Sequence, residues 1–125
     1  DFGLFKPIQY AAIKALTGPQ ACVHKQVNTY KRRRDVFVKA LRKAGWDVPC
    51  PKATFYIWAR IPDKYSALTS MEFVSMLIKE VGVAIAPGTG FGEYGEGYVR
   101  FALVRDEERL LEAAERIKKV LEMEA

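Results

Sequence analysis

The stretch Gly82–Val104, reading GVAIAPGTGFGEYGEGYVRFALV, limits this chain more than any other. A short apolar run enters a loop crowded with glycine, and a second run leaves it with strict alternation. Val99, Phe101 and Leu103 occupy one face of that second run, and Tyr98, Arg100 and Ala102 the other. This is the two-residue period of a half-buried β-strand. The pattern places a guanidinium in the middle of a strand. Desolvating an unpaired charge costs several kcal/mol, so Arg100 calls for an anionic partner. That partner is either a side chain of this protein or the carboxylate of a ligand, which the planar fork of arginine grips with two parallel hydrogen bonds.

The rest of the chain reads mostly as helix. Pro7–Leu16 forms a short one closed by Thr17-Gly18. Pro19 suits the first turn of the next, where a missing N–H is not needed. That second helix is predicted from Pro19 to Ala44, ending at Gly45, with Val23, Val27, Tyr30, Phe37, Leu41 and Ala44 as its buried stripe. Arg34 falls on the stripe and calls for an acid elsewhere. Pro49-Cys50-Pro51 stops the helix, and Ala53–Ile61 then reads as a strand. For Phe55, Tyr56 and Trp58 on it, core packing is the first reading and a pocket wall the second. Thr69 and Glu72 have capping-box spacing and open a helix that buries Phe73, Met76, Leu77 and Val81. Strands follow at Val83–Ala86 and Tyr98–Val104. Asp106 caps a final helix with Leu110, Ala113, Ala114, Ile117 and Leu121 inward. This order predicts an α/β fold, a two-layer sandwich whose small sheet is covered by helices. Residues 1–23 are expected to belong to a neighbouring body and 24–125 to form the compact domain.

With 125 residues, half of them apolar, the chain can bury a core of its own. No run approaches the roughly 20 apolar residues of a membrane span, and DFGLFKPIQ carries neither a basic leader nor a signal-peptide core. Cys22 and Cys50 lack CxxC or zinc-type spacing, which predicts reduced thiols in a cytoplasm. His24 has no companion ligand and reads as a helix-surface residue. The net charge of +5 is concentrated in Lys31-Arg32-Arg33-Arg34 and continued by Lys39, Arg42 and Lys43. A solvated helix face accounts for it, and a nucleic-acid-binding module built on that helix is the rival. Gly90-x-Gly92-x-x-Gly95 matches the dinucleotide fingerprint in letters, but a strand follows where the phosphates would need a helix N-terminus. Asp1-Phe2-Gly3 spells a kinase triplet without the segments that give it meaning. What remains is a Gly/Pro loop that either permits close backbone approach or is an ordinary hairpin.

Taken together, DFGLFKPIQYAAIKAL, Tyr30-x-x-Arg33-Arg34-Asp35, PKATFYIWARIP and GVAIAPGTGFGEYGEGYVRFALV resemble the C-terminal portion of class I/II aminotransferases, the pyridoxal-phosphate enzymes of fold type I. The resemblance covers essentially the whole chain in order and leans toward the aspartate/LL-diaminopimelate aminotransferase branch. It implies that Asp1–Leu16 ends the large cofactor domain, that the long helix bridges into the small domain, and that the small domain closes over substrate as a lid. It also implies that Arg100 holds the substrate α-carboxylate, that amino-acid and 2-oxo-acid substrates exchange an amino group, and that the whole protein is a homodimer.

The departures are as informative as the match. The lysine that carries pyridoxal 5'-phosphate in the family, the aspartate under its ring nitrogen and its phosphate-binding hydroxyls are expected before residue 1, and Lys6 is no substitute. The chain, which opens without an initiator methionine, is therefore expected to be a catalytically inactive piece of a longer enzyme, without catalytic, cofactor-binding or metal-binding residues of its own. A free-standing regulatory domain that binds a carboxylate through Arg100 is the alternative. Cut from a large domain, the apolar opening with Phe2, Leu4, Phe5 and Ile8 is expected to self-associate or fold back.

Overall fold

A computed structural model of the protein describes residues 3–123. Asp1 and Phe2, named above in the kinase-like triplet and the apolar opening, lie outside the described residues. Helix α1 spans Lys6–Thr17 and α2 spans Ala21–Lys43. Strand β1 (Tyr56–Arg60), helix α3 (Ser70–Val81), the two-residue strand β2 (Ala86–Pro87), strand β3 (Tyr98–Ala102) and helix α4 (Glu107–Glu122) follow. The helix ends obey their local chemistry. Thr69 and Glu72 form the reciprocal capping box at the start of α3, and Gly82 closes that helix in the left-handed conformation at φ 65°. Asp106 accepts the backbone N–H of Arg109 at 2.9 Å and caps α4. Gly45, at φ 93°, lets Trp46 N–H return to the Leu41 carbonyl and stop α2.

The three strands form one antiparallel sheet in the order β1-β3-β2. Trp58 and Ala86 stand opposite Arg100 on its two sides, and Ala59 and Pro87 stand opposite Val99. The strands are shorter than their sequence patterns. Thr54, the one non-glycine at positive φ among the described residues (68°), turns the chain ahead of β1. Pro87 has no N–H to extend the ladder at β2. One sheet face carries Ile57, Ala59, Val99 and Phe101 into the core, where Phe37 and Leu41 of α2, Phe73 and Leu77 of α3, and Leu110, Ala114, Ile117 and Val120 of α4 meet them. Trp46 sits at the centre, edge-on to Phe73 and Phe101 at 5.6 and 5.3 Å, its indole N–H satisfied by the Arg60 carbonyl. This is the expected α/β arrangement, helices covering one side of a small sheet.

Three predicted helix stripes need correction. In α2 the buried residues are Phe37, Val38 and Leu41; Val23 and Val27 are exposed, and Tyr30 and Ala44 are half-buried. In α3 Val74 and Ser70 are buried where Met76 and Val81 are only partly so, and in α4 Val120 takes the place expected of Leu121. Helix α1 buries none of its residues, and Leu4, Phe5, Ile8, Ile13 and Leu16 all stand exposed. The physical reason is shared. Periodicity defines an apolar face, but only the distance to the sheet decides how much of it is covered.

Candidate functional site

Arg100 is set by the middle strand of the sheet, on the face turned away from the helices. Its residue is half-buried, and its Nε is shielded from solvent with no hydrogen-bond partner. No carboxylate among the described residues pairs with it. The guanidinium carbon lies 4.0 Å from the centre of the Tyr56 ring and 4.1 Å from that of Phe91. Ring quadrupoles attract a cation and offset part of its desolvation, yet they leave the N–H groups without acceptors. Trp58 extends the aromatic surround, stacked on Tyr98 at 5.8 Å and edge-on to Phe91 at 5.6 Å. A cation flanked by rings and lacking a counter-ion is arranged to accept a planar anion in the plane of its own fork.

The first reading of Tyr56 and Trp58, core packing, is overturned. Both belong to the face of β1 opposite Ile57 and Ala59, and both stand beside Arg100 or its neighbours. Only Phe55 remains near the core, half-buried and stacked on Tyr30 at 5.2 Å. A signal for this was present in the sequence: Arg60, two residues beyond Trp58, marks the wet face of the strand. Phe91 carried no such signal, since nothing in a glycine loop announces where an aromatic side chain will land.

The glycine loop is a close-approach device and not an ordinary hairpin. Two single-turn 3-10 segments, Gly88–Phe91 and Glu93–Gly95, are pressed together at Gly88 and Gly95. A Cβ on Gly88 would lie 1.9 Å from the Gly95 carbonyl oxygen, and one on Gly95 would lie 2.0 Å from that of Gly88, so only glycine fits at either position. The loop is also tied to α3. The Glu96 carboxylate accepts the backbone N–H of Ser70 at 2.6 Å and of Gly97 at 2.8 Å, and the Ser70 and Thr89 hydroxyls lie 3.1 Å apart. These donors, that of Gly97 first, hold the Glu96 carboxyl below the usual carboxylate range. Strand β3 leaves the loop directly, so its glycines face no helix N-terminus of the kind a dinucleotide requires.

The other singled-out residues are not brought together. Lys6, Cys22, His24 and Cys50 are exposed, and none of them is among the groups that flank Arg100. Among the described residues there is no group of three side chains suited to a metal ion. No helix among them is long and apolar enough to cross a membrane. Within the basic run, Arg32 pairs with Glu107 at 3.2 Å and Arg33 donates to the Leu103 and Val104 carbonyls. Arg34 finds its acid next door, at Asp35, and also donates to the Pro51 carbonyl. Three of the four cations thus tie α2 to neighbouring segments. The larger clefts lie elsewhere, one of them between Gly82–Ala84 and the arginines 105, 109 and 116, while Arg100 stands on an open face.

Comparison with known proteins converges on one family. The model of "Aminotransferase class I and II" matches residues 2–117. The chain is 51% identical over 118 residues to the glutamate-pyruvate aminotransferase AlaC of Escherichia coli, covering 94% of this chain and 29% of that protein. It is likewise 51% identical to the LL-diaminopimelate aminotransferase of Halothermothrix orenii, of which it covers 30%. Among solved structures, apo-BacF from Bacillus subtilis superposes with a TM-score of 0.82 at 37% identity, over 94% of this chain and 30% of that one. The aromatic aminotransferase from Pyrococcus horikoshii superposes at 0.81 and 42% identity, over 91% and 31%. The chain therefore spans about three-tenths of the length of the relatives it matches. With its sheet, its covering helices and its glycine loop accounted for residue by residue, the chain belongs to the class I and II aminotransferases.

Proposed function

We propose that this chain is the C-terminal part of a pyridoxal-phosphate-dependent aminotransferase and that its role there is to hold the α-carboxylate of an amino-acid or 2-oxo-acid substrate. The observation that carries this reading is Arg100, a cation on the central strand with a buried, unpartnered Nε and aromatic rings for neighbours. A buried donor left unsatisfied costs about 1–3 kcal/mol. A carboxylate ligand would supply the missing counter-ion and bond the fork through its terminal nitrogens, the Nε itself being closed to solvent. Residues 24–125 would form the small domain, and residues 1–23, whose described members are all exposed or nearly so, would join the large one.

Lys6 is exposed at the first position of α1. The proton-transferring base and the cofactor itself belong, on this reading, to the portion of the relatives that this chain does not span, and the isolated chain is inactive. The contribution of the present residues is binding and orientation, and exclusion of water when the aromatic face is covered. The whole enzyme would be a cytoplasmic homodimer; the two exposed free cysteines accord with a reducing compartment.

The test is Arg100→Lys in the full-length protein. A point charge on a flexible stem cannot reproduce the bidentate fork. KM for the amino-acid substrate is expected to rise by at least about tenfold, with kcat affected less. Unchanged affinity in this variant would remove the assignment.

A further inference from the structure

We infer that Glu96 is a positioning residue for carboxylate recognition, latching the glycine loop to the N-terminus of α3 and so holding Phe91 against Arg100. The inference rests on the reading of Arg100 given above. Ser70 is the first residue of α3, so its N–H has no partner within the helix. Thr69 already serves the N–H of Glu72, and the donor of Ser70 is left for Glu96 to take from across the loop. The same carboxylate oxygen accepts from Gly97, the last residue before β3. Ser70, fully buried, bonds through its hydroxyl to Thr89 on the other limb of the loop. Both limbs are therefore fastened to one helix end.

The two limbs are also locked to each other. The Gly88–Gly95 contact leaves no room for a side chain between them, so neither limb can shift without the other. Phe91 belongs to the first limb and is itself half exposed. Apart from Arg100, its aromatic neighbour is Trp58, met edge-on. Its place over the guanidinium is therefore decided chiefly by the backbone that carries it, and that backbone is held by Glu96, Ser70 and Thr89. In Glu96→Gln the amide oxygen can still face both N–H groups, but the charge that strengthens their hydrogen bonds is gone and an NH2 replaces the oxygen nearest the Ser70 hydroxyl. The loop then loosens while Arg100, the core and the strand register remain.

The test uses the full-length protein with Glu96→Gln, Thr89→Val and Arg100→Lys compared side by side, with KM and kcat for L-glutamate and pyruvate, amide hydrogen exchange and the urea midpoint as readouts. For Glu96→Gln the expected result is faster exchange at Ser70 and Gly97 and a KM raised roughly 3- to 30-fold, the range for residues that act through others. Its kcat should stay within about twofold, separating ground-state positioning from chemistry. Thr89→Val, which removes only one of the three fastenings, should move KM in the same direction by less. If exchange accelerates but KM is unchanged while Arg100→Lys raises it, the latch does not position the site and the inference is overturned alone. If exchange is unchanged in Glu96→Gln, there is no latch and the inference is likewise overturned. If Arg100→Lys itself leaves KM unchanged, the carboxylate reading fails and takes the inference with it.

Discussion

Replacing Arg100 with methionine separates a structural arginine from one held ready for a ligand. Methionine keeps an unbranched, flexible stem to fill the groove between Tyr56 and Phe91, and removes the charge. Two opposing contributions are lost together. The unpartnered Nε costs about 1–3 kcal/mol in the free protein. Against that, the rings at 4.0 and 4.1 Å return about 0.5–1 kcal/mol each at a partly exposed position. These nearly cancel, and stability is expected to change by no more than about 1 kcal/mol in either direction. An arginine that completed a buried ion pair would instead cost about 3–5 kcal/mol on removal. Urea unfolding followed by the fluorescence of Trp46, which is 2% exposed in the core, distinguishes the two. With a slope of about 2 kcal/mol per molar, the midpoint moves by at most about 0.5 M in the first case and falls by at least about 1.5 M in the second. In parallel, the full-length variant should lose its affinity for substrate carboxylate by at least about tenfold. A large drop in midpoint would refute the reasoning, because it would show that the guanidinium has a structural partner.

Three further predictions follow from particular contacts. Gly88→Ala forces a methyl against the Gly95 carbonyl, with 1.9 Å available, and should destabilise the chain by about 1–3 kcal/mol as the loop limbs separate, measured by the urea midpoint. The carboxyls of Glu96, Glu72 and Glu112 are held below their ordinary value, by the N–H of Gly97, the N–H of Thr69 and the Arg109 guanidinium respectively. The unfolded chain therefore takes up protons first on acidification. Stability should be level from pH 7 to 5 and decline below about pH 4, and a rise over that lower range would contradict these assignments. The exposed Leu4, Phe5, Ile8 and Ile13 predict that this chain alone sediments as more than a monomer. The double change Ile8→Glu and Ile13→Glu should restore the monomer; a monomeric parent chain would count against the reading of residues 1–23.

Local rules carried much of the fold into the sequence. The capping box at Thr69 and Glu72, the cap at Asp106 and the stop at Gly45 depend on residues three to five positions apart, and each stands where the spacing puts it. The alternation from Tyr98 to Leu103 likewise separates the buried face from the face of Arg100. The failures have a different origin. The α2 stripe at Val23 and Val27 is periodic but has no sheet beneath it, and the aromatic letters of β1 do not say which of two faces is wet. The partner sought for Arg34 was the adjacent Asp35, a contact too close in sequence for a stripe argument to notice.

By itself, the sequence determined the helices, the central strand, the presence of one cation on its outer face and the family. These are set by interactions along a few residues or by motifs read whole. Only the tertiary structure decided that no acid among the described residues meets Arg100, that Tyr56 and Phe91 flank it, and that Glu96 reaches back to Ser70. Each of those facts depends on strand register or on the path of a loop through space. Neither is encoded by any short spacing, because they arise from the packing of distant segments against one shared core.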